Sequence, residues 1–509
     1  MTLELRSRQL SASPLVALAG QHDNPTEWYE PRPDSEGWKR RVAETAAEFQ
    51  GGAWLRALAP ALDATGSAAG RLERVARSSG VVVTTGQQPG LFGGPLYTWF
   101  KAMSALALAD ELEQRTGVAA APVFWAATDD SDFAEASEAT VSVPGGAEVI
   151  RIVSEADSGV PMSALPLGDL DAQLDALTRA CGSAPNGAAL DAVRAAYTAG
   201  ATVGEAYVRL LRAILEPVGV AVLDASHAAV RAAGRPLLES ALARAAELDT
   251  ALKQRSGALK EAGNRAQVAH VAGRTLVFTT GTDGRHRVRV REAEAMVGAD
   301  SAELSPNVLL RPVMERAILP TVAYVGGPAE IAYFAQVSAV ADELDAKRPL
   351  IVPRWAGVIV EPHVRKVLDR ISADVDDFAD PHAVETRVAR DHLPAGIVKA
   401  LAKARARVES ALDELVKADS SADVLPSAVL EGARRQLLHK LDRLERRYVA
   451  AAKRKGSDLL TEVATARGAL YPDGQPQERA LNMIPLLARY GDEVLTGILA
   501  KAREHAASL

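Results

Sequence analysis

The sequence predicts an α/β protein: a parallel-sheet core with inserted connecting segments, carrying a helical antiparallel arm. Three observations predict it. Short apolar runs at 81–83, 122–125 and 319–325 each end in a glycine-rich or acidic loop. Helix-length stretches follow the first and third of these runs, as parallel βαβ crossovers require. Towards the C-terminus, apolar residues recur seven apart in two charged helical runs, the pattern of a short coiled coil.

Composition narrows the function. The chain has 509 residues, 48% of them hydrophobic, with a net charge of −7. That supports a large core and two or three domains. No stretch approaches the roughly eighteen uncharged apolar residues of a membrane span. The opening MTLELRSRQL lacks the apolar centre of a signal peptide. A single cysteine, Cys181, excludes an internal disulfide and a Cys-only zinc site, and fits a reducing cytoplasm. Flanked by Ala180 and Gly182, it reads as a small packed residue rather than a nucleophile. Slight acidity argues against wholesale nucleic-acid binding.

Residues 1–79 read as a helical preamble. Trp28, Tyr29 and Trp38 mark a packed loop before a helix over 39–58. The run VVVTTGQQPGLFGGPLYTWFKAMSALALADEL then gives a strand at 81–83, a tight loop and a buried helix. Gly86, Gly90, Gly93 and Gly94 fill the loop with Pro89 and Pro95. From Leu96 to Ala109 only Thr98, Lys101 and Ser104 interrupt the apolar character. Strand, glycine loop and helix N-terminus form an anion-binding unit, because the first backbone N–H groups are unsatisfied and the dipole adds positive potential. The spacing matches neither G-x-G-x-x-G nor G-x-x-x-x-G-K-[ST]. Gln87 and Gln88 instead supply amides that donate and accept without charge. A βα turn that merely needs φ > 0 is the alternative; the density of glycines and glutamines favours a ligand site.

The second strand, APVFWAAT, runs into Asp129, Asp130, Ser131 and Asp132. Ligands in parallel sheets bind at the carboxyl ends of strands, and both loops lie there. The three aspartates suit Mg²⁺, an ammonium group or ribose hydroxyls; for Asp132, helix capping is an equal reading. Residues 140–300 look inserted. They hold short strands in VSVPGGAEVIRIV, a helical stretch at 170–215, an apolar strand ending in Asp224 and His227, and a hairpin around Asp283-Gly284. His270 and His286 lack partners at metal-ligand spacing. At 305–336 the opening design repeats: strand, Gly326-Gly327-Pro328 turn, helix. Arg311 suits a carboxylate or phosphate, or a surface ion pair. Glu330, at the helix start, suits an amine or the dipole. Asn307 and Tyr333 surround the turn, and Arg354 ends a last core strand in RPLIVPRW.

Residues 361–455 change character. Leu401, Val408 and Leu415 are seven apart, as are Leu430, Leu437 and Leu444; Val398 with Leu412, and Leu441 with Tyr448, fill companion positions. Arg405 and Arg434 fall at seam positions, so the seam is imperfect. The pattern predicts an antiparallel hairpin, read as a dimerisation arm or a solvated one. Finally, Gln477, Arg479 and Asn482 face a ligand or cap the last apolar helix before it returns to the core.

Taken in order, TTGQQPGLFGGPLYTWFKA, PVFWAATDDSDF, LLRPVMERAILPTVAYVGGPAEIAYFAQ, VPR and QPQERALN resemble the bacillithiol biosynthesis cysteine-adding enzymes, over about residues 81–495. The resemblance implies a Rossmann-like parallel-sheet core, similar to class I synthetases and nucleotidyltransferases, over 1–360 with the insert at about 140–300. It also implies a coiled-coil domain at 361–455 that promotes homodimers, and a C-terminal segment at 456–509. The implied reaction joins cysteine to the amine of glucosaminyl-malate as an amide. A carboxylate is a poor electrophile, so activation with ATP/ADP and Mg²⁺ is implied, in the cytoplasm and with no protein-held metal. Gln88, Asp129, Asp130, Asp132 and Arg311 would be catalytic. Gly86, Gln87, Gly90, Gly93, Gly94, Asn307, Tyr324, Gly326, Gly327, Glu330, Tyr333 and Arg354 would bind substrate or nucleotide. The acidic motif departs from the family pattern, with Ser131 where a histidine is usual. A nucleotidyltransferase acting on another substrate, or a non-catalytic dimeric ligand-binding module, is the alternative.

Overall fold

The computed structural model describes residues 3–11, 13–24, 26–154, 159–281, 284–299, 303–380, 382–422, 424–455 and 458–509. In chain order, the elements that position the site begin with β1 (Val81–Gln87), α1 (Leu96–Thr116), β2 (Ala120–Ala126), the short α2 (Phe133–Ala136) and β3 (Ala221–Asp224). A three-stranded antiparallel sheet follows, of β4 (Arg274–Gly281), β5 (Gly284–Arg289) and β6 (Glu303–Pro306). Then come α3 (Arg311–Ile318), β7 (Thr321–Gly326), α4 (Pro328–Glu343) and β8 (Ile351–Pro353). The arm is α5 (Ala395–Ala422) and α6 (Ser427–Lys455).

The main sheet is fully parallel, in the order β8-β7-β1-β2-β3. The chain starts in the middle at β1, steps outward to β2 and β3, and returns to the other side for β7 and β8. The order therefore reverses between β1 and β7. Loops leaving neighbouring strands at such a reversal open a crevice at their carboxyl ends. Both glycine loops leave the sheet at this place.

Local sequence explains the sheet. Val81, Val82 and Val83 are fully buried on both faces, the environment of a central parallel strand. At Gly86, a Cβ would lie 2.7 Å from the Trp125 carbonyl oxygen, so the close approach of β1 and β2 admits only glycine there. α1 is buried from Leu96 to Ala109 except for the half-buried Tyr97, and ends at Gly117, whose φ of 69° suits a left-handed cap. Two of its three polar interruptions have partners: the Ser104 hydroxyl accepts from the Trp355 backbone N–H at 3.0 Å, and Lys101 is taken up below.

Several elements differ from the sequence reading. The helix expected over 39–58 is two helices, Ser35–Glu48 and Ala53–Leu62, because Gly51 and Gly52 take φ of 77° and 63° between them. The block expected as one insertion at 140–300 contributes β3 to the core sheet, where its apolar residues are buried against β2. The hairpin forms from β4 and β5, while Asp283 of its expected turn lies outside the described residues. Trp28, Tyr29 and Trp38 of the preamble are all buried.

By internal contacts the chain divides into a unit of residues 3–141, 149–359 and 478–509, and a unit of residues 142–148 and 360–477. The first holds the main sheet and the three-stranded sheet, and its last helix, Asp492–Ala506, packs on α1. The second holds the arm, where α5 packs against α6. Arg405 and Arg434, which weaken the apolar seam, pair across it with Asp442 and Asp413. Leu412 is buried, whereas Leu415, Leu437 and Leu444 of the expected seam are exposed. No helix among the described residues is long and apolar enough to cross a membrane.

Candidate functional site

The carboxyl ends of β1, β2 and β7, with β5, α3 and α4, enclose a cavity of about 520 Å³, within the range of small-molecule sites. It lies entirely within the first unit. From the first loop, Gly86, Gln87 and Gln88 reach it. The deeper loop does not. Gly93 is buried, and a Cβ there would lie 2.7 Å from the Trp99 ring. Gly90 and Gly94 instead border an adjoining cleft of about 270 Å³. The N–H of Leu96, expected to face an anion, donates to the Leu481 carbonyl at 2.9 Å. The Asn482 amide donates to the carbonyls of Leu91, Phe92 and Gly94 at 3.0–3.1 Å. This corrects the anion-cradle reading of residues 90–94: the chain's own C-terminal segment fills that position.

The acidic loop divides. Asp129, Asp130 and Ser131 line the cavity; Asp132 is exposed and outside it. Asp129 pairs with Arg285 of β5 at 3.3 Å. Burial pushes its carboxyl up, against the pull of that guanidinium. Asp130 accepts from the Asp132 N–H at 3.0 Å. The aspartates are thus not arranged as a metal cage, and no group of three or more acidic, His or Cys residues suited to a metal ion occurs among the described residues. Asp224 accepts from Ser226 and from Thr128, and His227 caps the next helix through the Ala229 N–H. His270 pairs with Asp249 at 2.8 Å.

The second half-site is a network. Arg311 donates to the hydroxyls of Tyr324 at 3.3 Å and Tyr333 at 3.1 Å, and lies 3.4 Å from Glu315. Glu330 accepts from the Gly327 N–H at 2.8 Å and the Tyr324 hydroxyl at 2.5 Å. Lys101, read in the sequence only as an interruption of the apolar helix, binds Glu330 at 2.5 Å and also donates to Gly86 O at 3.0 Å and Gln87 Oε1 at 2.8 Å. One buried ammonium thus ties the two glycine loops together. Burial alone would raise the Glu330 carboxyl, but Lys101 and the Gly327 N–H hold it below the ordinary range. Burial lowers the Lys101 ammonium, and Glu330 opposes this. Asn307 lines the cavity but spends its carbonyl on the N–H groups of Leu309 and Leu310. Tyr324 and Gly326 lie behind the wall: Tyr324 orients Arg311 and Glu330, and a Cβ at Gly326 would strike Ile351. Arg354 lines the cavity, is 3% exposed and is bound by both oxygens of Glu478.

Further wall residues escaped the sequence reading. Arg285 stacks over Phe278 at 4.1 Å, and Arg287 donates to the Thr275 carbonyl. Glu135 of α2 accepts from Gln88 and, at 3.3 Å, from the Tyr97 hydroxyl. Arg479, which the sequence left as ligand group or cap, lines both the cavity and the adjoining cleft.

Two family models cover the chain. Residues 11–355 match the bacillithiol biosynthesis BshC N-terminal Rossmann-like domain, and residues 357–508 match the BshC C-terminal coiled-coil domain. The chain belongs to the BshC family. Curated relatives agree along most of its length. A protein of Solibacter usitatus is 34% identical, covering 82% of each chain; one of Koribacter versatilis is 33% identical, covering 88% of this chain and 86% of its own; one of Salinibacter ruber is 32% identical, covering 83% and 81%. Each carries the name "Putative cysteine ligase BshC". The matched domains bear out the Rossmann-like core and coiled coil expected from the sequence.

Proposed function

We propose that this protein is a cysteine ligase of bacillithiol biosynthesis, forming an amide between the carboxyl of cysteine and the amine of glucosaminyl-malate. ATP would activate the carboxyl, its phosphates held by the guanidinium groups of the cavity wall, with Mg²⁺ supplying charge neutralisation. The observation that carries this reading is the charge layout of a cavity in a BshC-family core. Arg287 and Arg479 supply cations, Arg311 and Arg354 add guanidinium groups that Glu315 and Glu478 already contact, and Asp130 and Glu135 supply carboxylates with no cationic partner within salt-bridge distance among the described residues. Cysteine and the amino sugar each bring an ammonium group; malate, cysteine and phosphate bring anions. Guanidinium groups suit the anions, and the two carboxylates suit the ammonium groups. Turnover in the cytoplasm fits the nucleotide and the free thiol.

The test is the thiol pool of a host lacking its own cysteine-adding enzyme and supplied with this chain. Mass spectrometry should find bacillithiol, and an Asp130→Ala, Gln88→Ala variant of normal solubility should leave glucosaminyl-malate unconverted. Accumulation of glucosaminyl-malate with soluble wild-type protein would overturn the reading. We extend the proposal to a homodimer through the arm, whose exposed Leu437, Leu444 and Tyr448 share one side of α6. Light scattering should return twice the chain mass, and Leu437→Lys, Leu444→Lys should return one; a wild-type monomer would remove this part.

A further inference from the structure

We propose that Glu135 is the general base of the condensation, taking the proton from the substrate ammonium so that the amine can attack. This rests on the ligase reading above and adds the group that moves the proton.

The geometry comes first. A condensation must bring two substrates together, and the site has two adjoining compartments, the cavity and the cleft. They share Gln87, Gln88, Tyr97, Glu135 and Arg479. Of these five, Glu135 is the carboxylate. It lies where a group in one compartment would meet a group in the other.

Elimination comes second. Asp129, Asp130, Glu135 and Glu330 are the carboxylates lining the cavity among the described residues. Asp129 is paired with Arg285, and Glu330 with Lys101. Each of these two is already committed to a cation, which a substrate ammonium would have to displace. Asp130 orders its own loop by accepting from the Asp132 N–H. Among the described residues, the donors to Glu135 are neutral, the Gln88 amide and the Tyr97 hydroxyl, which orient it without cancelling its charge. Desolvation by the cavity walls raises its carboxyl above the ordinary range. The Tyr97 hydrogen bond opposes this, and Asp132 and Asp130 push upward again. Lys101 lowers it from α1; Arg479 faces both compartments, and Glu138 faces the cleft. A carboxylate whose pKa is raised accepts a proton more effectively than an ordinary one.

The step balances. Glu135 accepts one proton from R–NH₃⁺. The freed amine forms the C–N bond to the acyl carbon of the activated cysteine. The C–O bond to the phosphoryl leaving group breaks, the electron pair leaves on that oxygen, and the second nitrogen proton departs with it. A new substrate set then finds Glu135 returned to its anion by solvent in the open cleft.

The experiment compares wild type, Glu135→Gln and Asp130→Asn in purified turnover assays across pH at saturating substrates. Glu135→Gln should lower kcat about 100-fold or more, the usual worth of a general base, and erase the acid limb of the kcat profile, with the KM for the amine changed far less. Asp130→Asn should keep that limb. An unchanged limb in Glu135→Gln would overturn the proposal. A second readout needs no turnover. Calorimetry of glucosamine binding, run in two buffers of different ionisation enthalpy, should show proton release in wild type, as the ammonium stabilises the Glu135 anion, and none in Glu135→Gln. Equal release in both proteins rejects the base while leaving the ligase reading intact. Neither turnover nor amino-sugar binding by wild type rejects the ligase reading, and the base with it.

Discussion

The two glycine loops share a design in sequence and diverge in use. Each follows a buried strand and opens a buried helix, and together they flank the reversal of strand order. At the second loop the helix start carries its own anion: Glu330 reaches back to the Gly327 N–H in a capping box. At the first, the start of α1 has no side-chain cap, and the polar groups of residues 91–96 are met by Leu481 and Asn482. The first helix start is thus filled by the chain itself, while at the second Gly327, Pro328, Ala329 and Glu330 line the cavity with the Gly327 N–H already taken. The two loops face the cavity with side chains, the first through neutral amides and the second through an arginine–tyrosine network. A shared motif has yielded one adaptable wall and one fixed wall.

Lys101→Met breaks the link between them and carries the largest expected effect. It leaves Glu330 buried without its cation, and Gly86 O and Gln87 Oε1 without a donor. Removing one partner of a buried pair costs about 3–5 kcal/mol, so denaturant unfolding should shift by that much and ligase turnover should fall below detection. Adding Glu330→Gln should restore part of the stability, because the stranded charge is gone. A double variant no more stable than Lys101→Met would mean that the two loops are not coupled through this pair.

Lys101 also shows what the sequence could and could not reveal. The strands were legible because buried parallel strands read as short apolar runs closed by glycine. The arm was legible by its seven-residue spacing, although that spacing alone placed Leu437 and Leu444 in the seam when they face outward. Charged wall residues carry no such period. The signal for Lys101 was there in principle: a single charge amid the otherwise apolar stretch from Leu96 to Ala109 must find a buried partner. What it binds depends on two loops more than two hundred residues apart. Arg285 and Arg287 alternate along β5 as a solvent-facing hairpin would, and only the placement of that hairpin over the cavity turns them inward. Glu135 sits in a helix of four residues, too short to announce a face.

The smallest effect sharpens the account of the fixed wall. Behind Arg311, the Glu315 side chain is 1% exposed, beside the buried Thr84 hydroxyl. Burial raises its carboxyl from 4.5 to about 7, although Arg311 and the Thr84 hydroxyl pull the other way. The folded state therefore holds a proton that the unfolded state has released between these two values. Stability from this group is complete below the unfolded pKa and is lost as pH rises through about 7. Glu315→Gln keeps the neutral form at every pH. Relative to that variant, wild type should lose on the order of 1–3 kcal/mol between mildly acidic and neutral pH, measured by denaturant unfolding at each pH. The subtraction removes every other titrating group that the two proteins share. Parallel curves would place Glu315 as an anion fully paired with Arg311, and the second loop would then rest on a closed ion pair rather than on a guanidinium still free to act on the cavity.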